Sequence, residues 1–459
     1  MVMIRYLLIL SVVVLASCNK VQKEPVEDKQ QVKTEIPGDP IEWTKNLNIY
    51  EVNIRQFTKE GTFDAFAMHL PRLQEMGVKI LWLMPIQPIG IEKRKGSLGS
   101  YYSIKDYTDV NPEFGTMVDL KNLVDDAHDR GMYVILDWVA NHSAWDIDLV
   151  EKHPEWFTRD ENGNMIPPVP DWSDVVDFNY EEKGLWEYMI NAMKFWVEEA
   201  NIDGYRCDVA GEVPLEFWQQ ALDELQKIKP EVFMLAEHES PDDHNDAFHM
   251  TYGWEMHHIM NEMAKGKMDL KDLHAYFVKE DSLYPQEAYR MHFITNHDEN
   301  SWNGTVEERM GEAAEAFAVL SVTAEQSMPL IYNGQEAGLN KRLAFFEKDE
   351  IEWKEHPMGK FYEKLLKLKL KNEALWNGIY GGDVELIDNN KMDNVLSFRR
   401  EMNGDKVLVV LNLSKESVTV ELANTDEGEL KDLFTGERVE INAKHKEELA
   451  SWGYRLYHN

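Results

Sequence analysis

The chain has 459 residues, 43% of them hydrophobic, and a formal charge of −35. That length exceeds one minimal domain and suits a large barrel with a smaller module, with enough apolar material for a sizeable core. So acidic a surface repels phosphate backbones, which argues against a nucleic-acid partner and leaves a neutral ligand such as a sugar unaffected.

At the N-terminus Arg5 precedes an apolar run over 6–16. The run is shorter than the roughly 20 residues that span a bilayer, and it fits the apolar core of a signal peptide. It ends in Leu15-Ala16-Ser17-Cys18, which resembles the lipobox of bacterial lipoproteins. The expectation is a signal peptide over 1–17 and a polar, lipidated tether over 18–40. The protein would then be exported and anchored to a bacterial cell-envelope membrane, on its periplasmic or cell-surface side, through a lipid on Cys18 alone. Only two cysteines occur, so a lipidated Cys18 leaves Cys207 without an intramolecular partner.

From residue 47 short β-rich runs alternate with amphipathic ones. A strand is expected over 48–53, then a helix over 63–76 ended by Gly77, then a strand over 79–84 stopped by Pro85. Thr116-Met117-Val118-Asp119 reads as a capping box that opens a helix running to Gly131. The near-continuous apolar run 133–137 reads as a strand buried on both faces. Residues 143–180, rich in Pro, Trp, Asp and Asn, are too long for an ordinary loop and read as an inserted subdomain. Further strands are expected over 202–207, 232–236, 250–252, 289–294 and 330–332, with helices over 184–200, 214–228, 254–265, 311–325 and 358–372. Eight strands in this rhythm fit a closed (β/α)₈ barrel over 41–377 better than an open sheet. Beyond 378 the period falls to two, in runs over 395–399, 407–413 and 418–422, which predicts a C-terminal antiparallel β-sandwich over 378–459.

The strand ends carry the chemistry. Asp137 ends the third strand and Asn141-His142 follow it. Arg206 and Asp208 end the fourth, Glu237 ends the fifth, and Asn296-His297-Asp298 follow the seventh. In an α/β barrel these ends converge on one face. Cleavage of a glycosidic bond needs such a group: one ionised carboxylate to attack, and one protonated carboxyl to serve the leaving oxygen. Arg206, two residues before Asp208, shares its face and would keep it ionised. The pattern points to a two-carboxylate hydrolase without assigning the roles.

Seven segments in order resemble the α-amylase superfamily, glycoside hydrolase family 13, over about 45–375. They are the strand from Gly77 to Pro85, Asp137-Trp138-Val139-Ala140-Asn141-His142, Asp177-Phe178-Asn179, Gly204-Tyr205-Arg206-Cys207-Asp208, Leu235-Ala236-Glu237, Phe293 to Asp298, and Pro329 to Glu336. The resemblance implies a retaining hydrolase of α-glucosidic bonds, mainly α-1,4 with α-1,6 open, in starch or maltodextrin. It implies Asp208 as nucleophile, Glu237 as acid/base and Asp298 as a binder of sugar hydroxyls. It further implies that Arg206 orients Asp208, that His142 and His297 bind the cleaved unit, and that Tyr102 stacks on it. Tyr101 is an alignment rival to Tyr102. Trp145, Trp172 and Trp302 are the better candidates for sugar platforms, and Cys207 points away from Asp208 as a buried thiol.

Many members of that family bind Ca²⁺ beside the inserted segment, through a side chain matching Asn141. Asp146, Asp148, Asp171 and Asp174 offer further oxygens here. After the nucleophile stands Val209-Ala210-Gly211-Glu212-Val213 where many endo-amylases carry Lys-His. That is closer to neopullulanase- and cyclomaltodextrinase-like members. A transglycosylase of the same fold is the alternative reading, and a non-catalytic glycan binder is disfavoured by the presence of all three carboxylates.

Overall fold

The computed structural model describes residues 41–425 and 427–459; the signal peptide and tether expected over 1–40 lie outside the described residues. Eight parallel strands close into a barrel: β1 (Ile49–Val52), β2 (Ile80–Leu83), β3 (Tyr133–Trp138), β4 (Gly204–Cys207), β5 (Phe233–Ala236), β6 (Met250–Tyr252), β7 (Tyr289–His292) and β8 (Ser327–Tyr332). Each pairs with its sequence neighbours, and β8 returns to β1.

Period-two alternation sorts their side chains. Tyr50, Val52, Leu81, Leu83, Val134, Leu136 and Tyr205 face outward into the large cluster shared with the helices. Ile49, Ile80, Ile135, Phe233, Leu235, Met291 and Leu330 face inward and fill the barrel with apolar bulk. One step further along four of the strands the inward positions turn polar: Glu51 above Ile49, Asp137 above Ile135, Arg206 above Gly204, Glu237 above Leu235. A dry barrel floor thus carries a charged layer at the C-terminal ends of its strands.

The opposite end is capped by the entering chain. Ile41 and Leu47 join the barrel-interior cluster, and Trp43 stacks on Tyr133 at 3.9 Å. Among the described residues no helix is long and apolar enough to cross a membrane.

The expected helix over 63–76 is two, Phe63–Ala67 and Leu70–Met76. Pro71 near the start of the second has no N–H to continue the ladder from the first. Gly77 ends it at φ 96°, a left-handed cap that a side chain would strain. The capping box at Thr116 and Asp119 opens Met117–Asp129. A helix that the sequence reading does not assign, Leu270–Leu283, lies between β6 and β7. Its buried stripe is thin, only Leu270, Leu273, Tyr276 and Glu280, so its periodicity is weak.

The inserted segment after β3 is held by a small antiparallel pair, His142–Ala144 with Val175–Asp177. The C-terminal region forms a six-stranded antiparallel sheet and a two-stranded one. Strand Asp405–Asn412 works on two sides. Val407, Val409 and Leu411 join the cluster that runs into the barrel helices, while Leu408 and Val410 share a second cluster with Val420 and Leu449 of the small sheet. Arg400, fully buried, donates to the carbonyls of Thr323, Ala324, Trp376 and Gly382, which ties this module to the barrel.

Candidate active site

Arg206 is the centre of the polar layer, at 0% exposure. Register places it beside Asp137 across the β3–β4 pair. Its Nη1 donates to Asp137 Oδ1 and Asp208 Oδ1, both at 2.8 Å. Its Nη2 lies 2.8 Å from Glu237 Oε2, and its Nε donates to the Tyr252 hydroxyl at 3.1 Å. One planar fork therefore touches three carboxylates on three adjacent strands. A buried guanidinium without them would be very costly, and so would the acids without it.

Glu237 Oε2 also accepts the Val209 N–H at 2.7 Å. Val209 holds φ 36°, ψ 48°, a left-handed conformation that is strained for a β-branched residue. Burial, the largest cause, pushes the Glu237 carboxyl up to about 8 against the pull of Arg206. Burial likewise raises Asp208 to about 6, with Arg206 opposing it and Asp137 adding to it. Two acids in one pocket are thereby separated, one ionised and one protonated near neutrality.

Asp298 is the open member, its side chain 36% exposed, with Oδ2 3.3 Å from His297 Nε2. Tyr102 donates to Asp137 Oδ2 at 3.1 Å, and its hydroxyl lies 2.8 Å from His297 Nε2. The rings of Tyr102 and His297 stack at 5.5 Å. Tyr101 instead turns beneath the Arg55 guanidinium, 4.2 Å from its ring centre, so Tyr102 is the tyrosine at the site. His142 is buried beside Trp172; burial lowers its pKa to about 3 and keeps it neutral. Cys207 is buried and unpaired, and burial raises its thiol well above the usual range.

Glu51 was missed in the sequence. It is fully buried on β1, and its Oε1 meets His297 Nδ1 at 2.5 Å. Burial alone would lower the His297 pKa, but the Asp298 and Glu51 carboxylates outweigh it and raise it to about 9. The signal was available: a carboxylate within a strand buried on both faces needs a buried partner. Trp82 and Tyr252, which bond Asp137 and Arg206, carry no such mark, because aromatic residues are ordinary in a barrel core.

The side chains expected to hold calcium do not fit the ion. Asp146 is paired with Lys105 at 2.8 Å, Asp148 with Lys152 at 2.9 Å and Asp174 with Lys95 at 3.0 Å. The Asp171 carbonyl accepts from the same Lys95, and the Asn141 side-chain amide lies 3.4 Å from His142 Nδ1. Among the described residues no three His, Cys, Asp or Glu side chains gather as a metal site. Lys95 and Lys105 clamp the inserted segment to the loop after β2 through Asp174 and Asp146. Asn141 instead lines a groove of about 480 Å³ with Trp172, Asn179, Val209 and Glu212. Trp145 is covered by Lys93, whereas Trp302 stands 53% exposed.

These charges set the pH response. With Asp208 active when ionised and Glu237 when protonated, kcat/KM should rise with pH through about 6 and fall through about 8. His297, held near 9, stays cationic across that window. Glu51→Gln keeps an acceptor but removes the charge that holds the imidazolium. The falling limb should then move to lower pH, and kcat/KM at neutrality should drop about tenfold. Profiles of the two proteins check this; coincident falling limbs contradict it.

The catalytic-domain model of α-amylase matches residues 38–170 and 169–371, and the C-terminal-domain model of maltogenic amylase matches 384–456. The fold of a noncanonic maltogenic α-amylase, AmyB, from Thermotoga neapolitana is similar, with a TM-score of 0.82 and 35% identity, over 91% of this chain and 99% of that one. α-Amylase 2 of Dictyoglomus thermophilum is 26% identical over 86% of this chain and 73% of its own length. A cyclomaltodextrinase from a Bacillus species is 26% identical over 78% of this chain and 67% of its own. With its eight-stranded barrel and its C-terminal antiparallel module, the chain belongs to the α-amylase family and is a glycoside hydrolase acting on α-glucans.

Proposed function

We propose that Asp208 is the nucleophile and Glu237 the acid/base of a retaining cleavage of short α-glucans, mainly at α-1,4 bonds. The observation that carries this reading is the single guanidinium of Arg206, which donates to Asp208 and lies 2.8 Å from Glu237 in an ion pair. Such sharing suits the close carboxyl pairing of retaining enzymes, roughly 5–5.5 Å, better than the wider inverting one. In the first step an Asp208 oxygen bonds the anomeric carbon as its bond to the glycosidic oxygen breaks. Glu237 gives that oxygen its proton, and the leaving sugar departs. In the second step Glu237 takes a proton from water, whose oxygen displaces Asp208 from the same carbon. Asp298, His297 and His142 bind hydroxyls of the cleaved unit, and Tyr102 packs on its C–H face.

Short substrates are favoured by the relatives named cyclomaltodextrinase and maltogenic α-amylase and by Val209-Ala210-Gly211-Glu212 after the nucleophile. Asp208→Asn should cut reducing-sugar release from maltodextrin by at least roughly a thousandfold, with the circular dichroism spectrum and melting temperature kept. Residual turnover near that of the unaltered enzyme would remove Asp208 from the chemistry.

The same reading makes the protein an exported lipoprotein, supported by the order Arg5, apolar run, Ala16-Ser17-Cys18. In an expressing bacterium it should enter the detergent phase on Triton X-114 partition, and Cys18→Ser should shift it to the aqueous phase. Aqueous partition of both proteins contradicts lipidation.

A further inference from the structure

Val209 keeps its left-handed backbone beside Glu237 at φ 36°, although its β-branched side chain disfavours that shape. Such strain persists only where the surroundings over-determine it. Part of the support is local. Glu212 N–H donates to the Val209 carbonyl at 2.9 Å and Val213 N–H to the Ala210 carbonyl at 3.2 Å, which winds Ala210–Glu212 into a single 3₁₀ turn. Trp218 Nε1 also donates to the Ala210 carbonyl, at 3.1 Å, and anchors the turn to the helix Leu215–Gln226.

The rest of the support comes from His238, the residue after Glu237. Its ring packs directly on Gly211: a Cβ at that position would lie 2.5 Å from His238 Cδ2 and 2.7 Å from its Nε2. Gly211 is not among the residues with positive φ. Space for the imidazole, not backbone freedom, is therefore what this glycine supplies.

The ring is fixed from its other nitrogen. His238 Nδ1 lies 2.8 Å from Asp243 Oδ2, and Asp243 is buried in the turn Pro241–His244. The Asp243 carbonyl accepts Phe248 N–H at 3.0 Å, and the His238 carbonyl accepts Tyr252 N–H at 3.1 Å, which ties the pair to the backbone of β6. The hydrogen bond to Asp243 raises the His238 pKa against its burial, and the charges of Glu212 and Glu239 add to it.

We infer that His238, oriented by Asp243, is a positioning residue for the acid/base. Its ring holds the Gly211 turn in the shape that keeps the Val209 N–H on the Glu237 carboxyl, 2.7 Å away. That N–H favours the ionised carboxyl, so its loss raises the proton affinity of Glu237 and makes it a weaker acid. Arg206, Asp137, Asp208, Asp298 and Tyr252 also face Glu237; the substitutions below leave all five in place. The inference rests on the reading of Glu237 as acid/base.

His238→Ala removes the ring, and Gly211→Ala pushes it off the turn. In each variant the falling limb of kcat/KM should move about one pH unit upward. With maltotriose, whose leaving sugar needs the proton, kcat/KM at neutrality should fall about tenfold relative to α-maltosyl fluoride, whose leaving fluoride needs little help. In the double variant the added methyl enters the space left by the ring, so the limb should move no further than in His238→Ala alone. An unmoved limb, an unchanged ratio between the two substrates, or shifts that simply add would each overturn the inference; a merely loosened loop would lower both rates together. Glu237→Gln separates this from the reading beneath it. Undiminished maltotriose cleavage by that variant ends both, whereas loss of cleavage there with unmoved limbs in the other variants ends only the role of His238.

Discussion

A single buried cation organises the charged layer of this barrel. Arg206 has no exposed surface and reaches Asp137, Asp208 and Glu237 from one planar head. Each of those acids would be intolerable alone in the barrel interior, and the guanidinium would be as well. Together they form a network in which removing Arg206 would leave three buried acids without their shared cation. Its cost in desolvation is offset by a fixed geometry in the place where the chemistry needs one. A flexible lysine could not span three strands in this way.

A second cation completes the site from the other side. His297 sits between Glu51 and Asp298 and meets the Tyr102 hydroxyl, and Tyr102 in turn donates to Asp137. A continuous path of hydrogen bonds and ion pairs therefore runs from β1 through the loops after β7 and β2 to β3 and Arg206. Burial raises both catalytic carboxyls, and Glu237, pushed up further by Asp208 and Asp298, ends higher than Asp208, which Arg206 both faces and hydrogen-bonds. Proton affinity is thus divided by neighbours on different strands, which only the closed barrel brings together.

The barrel and most of the site were legible in the sequence because both depend on strand ends. Eight β-rich runs, several of them closing on charged residues, predict where Asp137, Arg206, Asp208, Glu237 and Asp298 converge. What stayed hidden depended on partners distant in the chain. Glu51 gains its meaning from His297, 246 positions away. The helix Leu270–Leu283 is stabilised by tertiary contact along a narrow stripe rather than by its own pattern. The pairing of Asp146 and Asp174 was hidden for a related reason: their partners Lys105 and Lys95 come from the loop after β2.

The central claim is that Arg206 holds Asp208 and Glu237 close enough for a covalent glycosyl-enzyme. The configuration of the first-formed product reports on it directly. Proton NMR during the first minutes of maltodextrin cleavage, before mutarotation, should show new reducing ends as the α-anomer. Initial release of the β-anomer would mean direct attack by water and would contradict the account.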